Sequence, residues 1–367
     1  MSNLQTLYKD KPYFFVPFVH KVHRKHISER QYSISNGYSG SFHLTLTAMT
    51  PLIFGEGDLS IGDNGHVMHS LSRENGNITL AGSSFKGMLR SFFESITHSC
   101  TLLSPRWQSQ LLPNNTHTPC QQSIRNTQTV CPACSLFGCL CMKGKLRFSS
   151  FQAKSSQIVE TNVVPNLQSP YKDYPRDQTR GWGNERLYYA SFKGINGTDT
   201  ANLDKATFFN MKKSATLQSP QGFYGRKLYK HSLILEKGKD ALSNTYESLP
   251  VGSILTGEIL FEGLTDEELA SLAFALGIGW ERPIYYKLGY AKPAYFGSVK
   301  IDVCLLPASG NTLHLGRPLP NDIDKLGTEY RLGADEELRS AIEMIESYWS
   351  AVDGKNQWQT IENRRNY

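Results

Sequence analysis

The order of two hydrophobic periodicities constrains this fold more than any other feature of the sequence. A period of two is typical of half-buried strands, and a period near 3.6 is typical of helices. Strands are predicted near residues 41–48, 146–151, 255–261 and 299–305, and helices near 85–96 and 265–276. Strand, helix, strand, then strand, helix, strand is the split βαβ pattern of a ferredoxin-like (RRM-like) sheet. We therefore predict an α+β fold with that core.

This core predicts how the chain is divided. The expected parts are an N-terminal extension (1–40), the first half of the core (41–154) with a zinc-binding subdomain at about 97–142, an insertion (155–250), the second half of the core (251–306) and an acidic C-terminal extension (307–367). Glycines at 55, 57, 62 and 65 predict a polar loop after the first strand. The last extension should contain an amphipathic helix through Leu338, Ile342, Ile345 and Trp349.

The charge of the chain is distributed unevenly. Residues 321–367 hold six Lys and Arg against ten Asp and Glu, whereas the whole chain has a net charge of +6. A basic body favours a polyanionic partner, although ordinary solubility charge is the alternative interpretation. No run of eighteen apolar residues predicts a membrane span, and Lys9, Asp10 and Lys11 occupy the place of a signal peptide's apolar segment. We expect a cytoplasmic protein.

Six of the seven cysteines lie between residues 100 and 141, a placement that favours a metal over a disulfide framework. Two gaps of two residues are typical of a tetrahedral structural zinc site. The predicted ligands are His117, Cys120, Cys131 and Cys134. The fourth ligand stays open, because other residues lie near enough to replace one of these: His98, Cys100, Cys139 and Cys141. Buried unliganded thiols and a Cys131–Cys134 redox pair are the alternatives.

Two further segments predict contacts with a nucleic acid, although the first could equally be a plain capped helix with an exposed lysine. The helix near residue 85 opens with small polar residues at the positive end of its dipole, which favours an anion. Its candidate residues are Gly82, Ser83, Ser84, Lys86 and Arg90. The segment 287–297 combines glycines, lysines and aromatic rings that could lie against a nucleic-acid strand, with Gly289, Lys292 and Gly297 as its candidates. Basic runs add Lys21, Arg226 and Lys227, for which a solvated basic face is the alternative.

Three of these segments carry a resemblance to a known family. The runs AGSSFKGMLR (81–90), CPACSLFG (131–138) and LGYAKPAYFGSV (288–299) together resemble the RAMP superfamily of CRISPR-associated proteins. Within it, the chain resembles the backbone subunits of type III effector complexes. The N-terminal YFFVPFVHKV and the inserted NLQSPYKDYP and GFYGRKLYKH resemble one branch of these proteins. The similarity extends over about residues 12–305.

The resemblance implies a fold and a function. Backbone subunits of this kind have an RRM-like core, bind a CRISPR guide RNA along its backbone and hold a target RNA paired with it. Their partners are therefore guide RNA, target RNA and the other effector subunits, with no membrane. Contacts to phosphate and sugar suit a protein that leaves sequence recognition to base pairing. The start of the helix would then bind phosphates of the guide RNA, and the glycine-rich segment would lie against the same strand.

In several members of the family, an aspartate after the first strand supports metal-dependent cleavage of target RNA. Asp63 is the best positional match here, with Glu56 and Asp58 as alternatives, and Mg²⁺ is the expected ion. The Asp-Asn-Gly run is equally a good plain turn. A catalytically inactive spacer subunit is therefore one alternative. A stand-alone RNA-processing endoribonuclease using His43, His66 or His69 is another, and a zinc-dependent scaffold without nucleic acid is a third.

Overall fold

The computed structural model describes residues 12–61, 67–101, 120–154, 159–165, 167, 190–191, 222–223, 225–238, 245–307 and 317–350. Its helices are α1 Ile27–Asn36, α2 Gly82–Ser95, α3 Cys120–Thr127, α4 Pro132–Phe137, α5 Asp266–Ala275, α6 Ile323–Leu332 and α7 Glu336–Trp349. The first nine strands are β1 Tyr13–Val16, β2 Lys25–His26, β3 Tyr38–Ala48, β4 Gly55–Ile61, β5 Val67–Leu71, β6 Arg73–Glu74, β7 Asn77–Leu80, β8 Thr129–Val130 and β9 Leu146–Phe148. The others are β10 Phe151–Ala153, β11 Glu160–Val163, β12 Ala190–Ser191, β13 Gly222–Phe223, β14 Arg226–Tyr229, β15 Thr245–Ser248, β16 Ile254–Leu264, β17 Tyr286–Lys287 and β18 Ser298–Pro307.

An antiparallel sheet forms the centre of this mixed α+β fold. Its strand order is β17-β18-β3-β16-β10-β7-β6, and β9 also pairs with β16. The central strand β3 pairs with β18 on one side and with β16 on the other. The side chains of Phe42, Leu44 and Leu46 are buried in β3, because alternate residues of a strand point to the same face. The predicted strands at 41–48, 255–261 and 299–305 are confirmed as β3, β16 and β18, whereas the one predicted at 146–151 is divided into the short strands β9 and β10.

Helices α2 and α5 contact each other and supply much of the core beside this sheet. The apolar stripe of α2 buries Phe85, Leu89 and Phe92, as its helical spacing predicts. Helix α5 begins with a capping box. The Glu268 backbone N–H donates to Thr265 Oγ1 at 3.1 Å, and the Thr265 N–H donates to the Glu268 carboxylate at 3.1 Å. Two otherwise unpaired N–H groups are thereby satisfied at the helix start.

The predicted C-terminal helix is present as α7, and it packs onto the core. Trp349 stacks on Phe92 with ring centroids 5.1 Å apart, and its indole N–H donates to the Tyr229 carbonyl oxygen at 2.9 Å. Tyr348 stacks on Phe14 of β1 at 4.4 Å. Helix α7 therefore joins the N-terminal strand, the inserted strand β14 and helix α2.

The glycine-rich segment after β3 differs from the prediction of a polar loop. Residues 55–61 and 67–71 pair as strands β4 and β5, within a second sheet of order β11-β15-β5-β4. Glycine is tolerated there because β4 is an edge strand, and Leu59 and Ile61 retain a period of two that sequence inspection passed over. Strand β15 comes from the predicted insertion, so the 155–250 segment contributes to the structure around β5.

No helix among the residues described here is long and apolar enough to span a membrane.

Candidate nucleic-acid interface and metal centre

Four buried cysteines form a cluster beside helix α2. The Sγ atoms of Cys100, Cys120, Cys131 and Cys134 all lie within 4.8 Å of one another, and Cys100 Sγ lies 3.6 Å from both Cys131 Sγ and Cys134 Sγ. A tetrahedron of sulfur atoms about 2.3 Å from a zinc ion has edges of roughly 3.8 Å. The cluster can therefore hold a metal ion such as zinc.

Cys100 completes this cluster, whereas the other described candidates for the fourth ligand are not part of it. The His98 ring lies against the Lys21 carbonyl oxygen at 3.1 Å and the Asp335 carboxylate at 2.6 Å, outside the sulfur cluster. The Cys139 thiol lies near Cys134, but its sulfur is not among the four that lie within 4.8 Å of one another. His117 lies outside the described residues. Among the described residues the fourth sulfur atom is that of Cys100, and no simple spacing rule pointed to it because nineteen residues separate it from Cys120.

Local structure presents these thiols together. Cys131 precedes helix α4, and its backbone N–H donates to Cys120 Sγ at 3.2 Å. Although burial opposes it, hydrogen bonds from the other three thiols hold the pKa of Cys131 well below its usual value. Hydrogen bonds among the same thiols raise the pKa of Cys100 and of Cys134. A thiolate is the form that binds metal, so a bound ion would displace the protons of these two thiols.

Two arginines predicted to bind RNA are directed toward this cluster. The Arg90 guanidinium donates to Cys134 Sγ at 3.2 Å, to the Gly138 carbonyl oxygen at 2.6 Å and to the Glu94 carboxylate at 2.9 Å. The Arg226 guanidinium donates to the other oxygen of Glu94 at 2.9 Å. Both side chains are largely buried, at 13% and 8% exposed. Their charges are engaged within the protein.

A cleft of about 730 Å³ opens on the other side of helix α2. Its walls come from the start of α2, the segment 287–292, strand β14 and the sheet that contains β5 and β15. Three lysines line it, and no carboxylate does so among the residues that the structure describes. The lining lysines are Lys227, Lys287 and Lys292, and the lining aromatic residues are Phe54, His69, Phe92, Tyr229, Tyr246, Tyr290 and Trp349.

The start of α2 faces this cleft through small residues. Ser83, Ser84 and Gly87 line it, and the preceding Ala81 offers no side chain to cap the first helical N–H groups. Unpaired N–H groups at a helix start attract anions. Gly82 is buried against the backbone at Ser149, and there is no room for a side chain because a Cβ there would lie 2.4 Å from the Ser149 carbonyl oxygen.

The glycines of segment 287–297 pack against the protein itself. Gly289 has φ +80°, and a Cβ there would lie 2.1 Å from the Ile53 carbonyl oxygen. Gly297 has φ +73°, and a Cβ there would lie 1.9 Å from the Leu288 carbonyl oxygen. The expected close approach to RNA is thus a close approach to neighbouring backbone, which fixes the shape of the loop.

Lys287 gives this loop a buried amino group. Its Nζ donates to the carbonyl oxygens of Tyr295 and Phe296 at 2.8 and 3.0 Å, and the residue is 4% exposed. Burial, with a smaller contribution from Lys292, holds the pKa of Lys287 well below its usual value. Burial also lowers the pKa of Lys292, whose ammonium donates to the Gly289 carbonyl oxygen. A bound anion would stabilise the charged form of both lysines.

Aromatic rings on the cleft wall are already stacked. His69 lies parallel to Tyr246 with ring centroids 4.2 Å apart, and Tyr246 meets Tyr290 at 5.0 Å. Tyr290 remains 44% exposed. Lys227 Nζ lies 4.9 Å from the Tyr229 ring centroid. Exposed aromatic faces beside cationic groups are what single-stranded nucleic acid uses for base stacking.

The structure brings together part of the predicted RNA-binding set. The predicted residues that line the cleft are Ser83, Ser84, Lys227, Gly289 and Lys292. Those absent from the described lining are Lys21, Gly82, Lys86, Arg90, Arg226 and Gly297. Tyr246 and His69 were not predicted to bind RNA, since the short strands that carry them give no local signal of which strand they pair with.

Other proposed catalytic groups lie apart. Asp63 and His66 fall outside the described residues, as do the side chains of Glu56 and Asp58. His69 lines the cleft, whereas His43 lies beside Glu258 on the open face of the sheet, with 3.3 Å between Nε2 and Oε1. The two described histidines therefore lie at different surfaces and form no acid–base pair.

Comparison with known proteins gives a family. The model of the RAMP superfamily matches residues 45–280, which is more than half of the chain. Among solved structures, the chain is similar to one in the type III-B Cmr-beta complex bound to cognate target RNA, determined by cryo-EM. That similarity has 10% identity and a TM-score of 0.33, and it covers 77% of this chain and 66% of the other, just under two thirds. No curated protein matches the sequence.

Proposed function

This chain belongs to the RAMP superfamily, and we propose on that basis that it is an RNA-binding subunit of a type III CRISPR effector complex. In this role it holds a guide RNA by its backbone and keeps a target RNA paired with it. Its partners are the two RNA strands and the other effector subunits.

One observation carries the proposal. The helix start that sequence analysis predicted to bind phosphate and the glycine- and tyrosine-rich segment line the same cleft, together with three lysines. A cleft that has cationic and aromatic walls and no described carboxylate suits a single RNA strand. The small residues at the start of α2 suit phosphate and sugar contacts, which carry no sequence preference.

The proposal includes the architecture of the core. We assign β3, α2, β10, β16, α5 and β18 to a ferredoxin-like unit. Their spatial strand order, β18-β3-β16-β10, with every neighbouring pair antiparallel, supports this assignment. The two helices contact each other, as the two crossovers of a split βαβ unit do.

We also propose that the cysteine cluster binds one structural zinc ion through Cys100, Cys120, Cys131 and Cys134. Four sulfur donors with similar spacing suit tetrahedral Zn²⁺ and leave no open position for substrate. When bound, the ion would stabilise folding of this part of the chain. The alternative that Cys131 and Cys134 form a redox pair is disfavoured, because two further thiols share their site.

Cleavage of target RNA is a further part of the proposal and depends on Asp63. In sequence this residue falls between strands β4 and β5, outside the described residues. Asp63→Ala is expected to abolish Mg²⁺-dependent cutting while guide binding is unchanged. If the assembled wild-type complex never cuts target RNA in Mg²⁺, the subunit is a spacer.

Fluorescence anisotropy with a labelled single-stranded RNA tests the cleft. Lys227→Met is expected to weaken binding and to reduce the dependence of log K on log[salt] by about 0.7. Lys325→Met is the matched control, because it removes the same charge from an exposed side chain of α6. Tyr290→Leu should weaken binding without changing the salt dependence, since stacking does not involve counterion release. Equal effects of Lys227→Met and Lys325→Met would contradict the proposed site.

A further inference from the structure

The cysteine cluster and the cleft lie on different sides of helix α2, yet a chain of hydrogen bonds connects them. Ser84 and Gly87 on α2 line the cleft. Arg90 and Glu94, one and two turns later, face the cysteines. Helix α2 therefore carries cleft residues on one surface and residues of the metal cluster on another.

Strand β14 carries the same two surfaces in consecutive residues. The Arg226 side chain is buried against Glu94 and donates to the Ser99 and Cys100 carbonyl oxygens at 2.9 and 3.2 Å. Lys227, the next residue, lines the cleft. Successive side chains of a strand point to opposite faces, so the position of Arg226 determines where Lys227 is presented.

Strand β14 is held at several points. It pairs with β1 over four residues, Leu228 is buried in the core, and the Tyr229 carbonyl oxygen accepts from the Trp349 indole. The Arg226 side chain adds three hydrogen bonds at its buried end, two of them to the backbone around Cys100. These bonds connect the strand to the cysteine cluster.

The arginine contacts end on two members of the cysteine cluster. Arg226 donates to the Cys100 carbonyl oxygen and Arg90 to Cys134 Sγ, while Glu94 accepts from both guanidiniums. A bound ion would fix the positions of Cys100 and Cys134 relative to each other, because both sulfur atoms would be its ligands. Loss of the ion should therefore loosen the arginine contacts.

We infer that the cysteine cluster supports one wall of the cleft. It acts through Arg90, Glu94 and Arg226, which help to hold strand β14 in place. Metal loading then determines the order of the β14 wall, including Lys227 and Tyr229. Arg226 is accordingly a positioning residue that does not itself contact RNA. The consequence for RNA affinity rests on the proposed function, whereas the consequence for strand order does not.

Hydrogen exchange of the full zinc-loaded chain, measured by mass spectrometry over residues 225–231, tests this inference together with RNA anisotropy. Arg226→Lys keeps the charge but loses the forked donor geometry. We expect it to retain its zinc and to exchange at least about tenfold faster in this segment. RNA affinity should fall several-fold. Arg147→Lys, in an exposed pair with Glu262, is the matched control and should leave both measurements unchanged.

Chelation of the metal provides the second arm. It should accelerate exchange of residues 225–231 in the wild-type chain and add little in Arg226→Lys, because the two changes break the same connection. Unchanged exchange in Arg226→Lys, with zinc retained, would overturn the inference whatever happens to RNA affinity. Faster exchange with unchanged RNA affinity would support the connection between the cysteine cluster and strand β14, and it would refute the proposed role of the cleft in RNA binding.

Discussion

Replacement of Gly289 by alanine tests whether the glycine-rich loop is shaped by its own packing. Gly289 and Gly76 both adopt left-handed backbone, with φ +80° and +82°. An alanine in that conformation costs about 1–2 kcal/mol of stability at either position. The two sites differ in their surroundings, because a Cβ at Gly76 would meet nothing within 4 Å, whereas one at Gly289 would lie 2.1 Å from the Ile53 carbonyl oxygen.

The additional cost at Gly289 follows from that contact. The Ile53 carbonyl oxygen accepts the Tyr290 N–H at 2.8 Å. To bring the new Cβ to a tolerable distance, the two segments must separate by about 1 Å, which breaks this hydrogen bond. A buried backbone bond lost in this way costs about 1–3 kcal/mol. Gly289→Ala should therefore lose about 2–5 kcal/mol, against about 1–2 kcal/mol for Gly76→Ala.

Urea unfolding of both variants measures the difference. The expected result is a lower midpoint for Gly289→Ala than for Gly76→Ala at unchanged slope, because the slope reports the surface exposed on unfolding. RNA affinity should fall with Gly289→Ala alone, since Gly289, Tyr290 and Lys292 all line the cleft. Equal midpoints for the two variants would refute the steric argument.

Three other outcomes are expected. Elemental analysis should find about one zinc ion per chain, which Cys100→Ser lowers and Cys139→Ser does not; equal losses would contradict the cluster. Between the lowered pKa of Lys287 in the folded protein and its ordinary pKa of 10.5, only the unfolded chain binds the lysine proton. The stability of the wild type relative to Lys287→Met should therefore rise with pH in this range. A difference in urea midpoints that stays constant with pH would contradict this. Thr265→Ala should cost about 1–2 kcal/mol in urea unfolding, and Thr265→Ser, which keeps the capping oxygen, much less; equal losses would argue against the cap.

Local periodicity predicted most of the core, because burial on one face imposes a period that neighbouring residues reveal. Strand β3 and helix α5 are examples: alternating Phe42 and Leu44 mark the strand, and Thr265 marks the start of the helix. Strand β4 escaped prediction because its glycines resemble a loop in sequence, and β5 because a strand of five residues shows only a short alternation.

The sites were predictable only in part. Their residue types were evident from the sequence, since thiols separated by two residues favour a metal and a polar helix start favours phosphate. Which individual residues make up each site was not evident from the sequence. Cys100 competed with several other candidates for the fourth position, and proximity in sequence did not distinguish among them.

The sequence by itself determined which residues are buried in the main strands and helices, because hydrophobic spacing is a property of adjacent residues. Only the tertiary structure decided what each charge faces. Arg90 and Arg226 belong to basic runs that predicted RNA contacts, yet both guanidiniums donate to Glu94 beside the thiols. Lys227 lies one residue away and lines the cleft. The physical reason is that the partner of a long charged side chain comes from a distant segment, which periodicity does not encode.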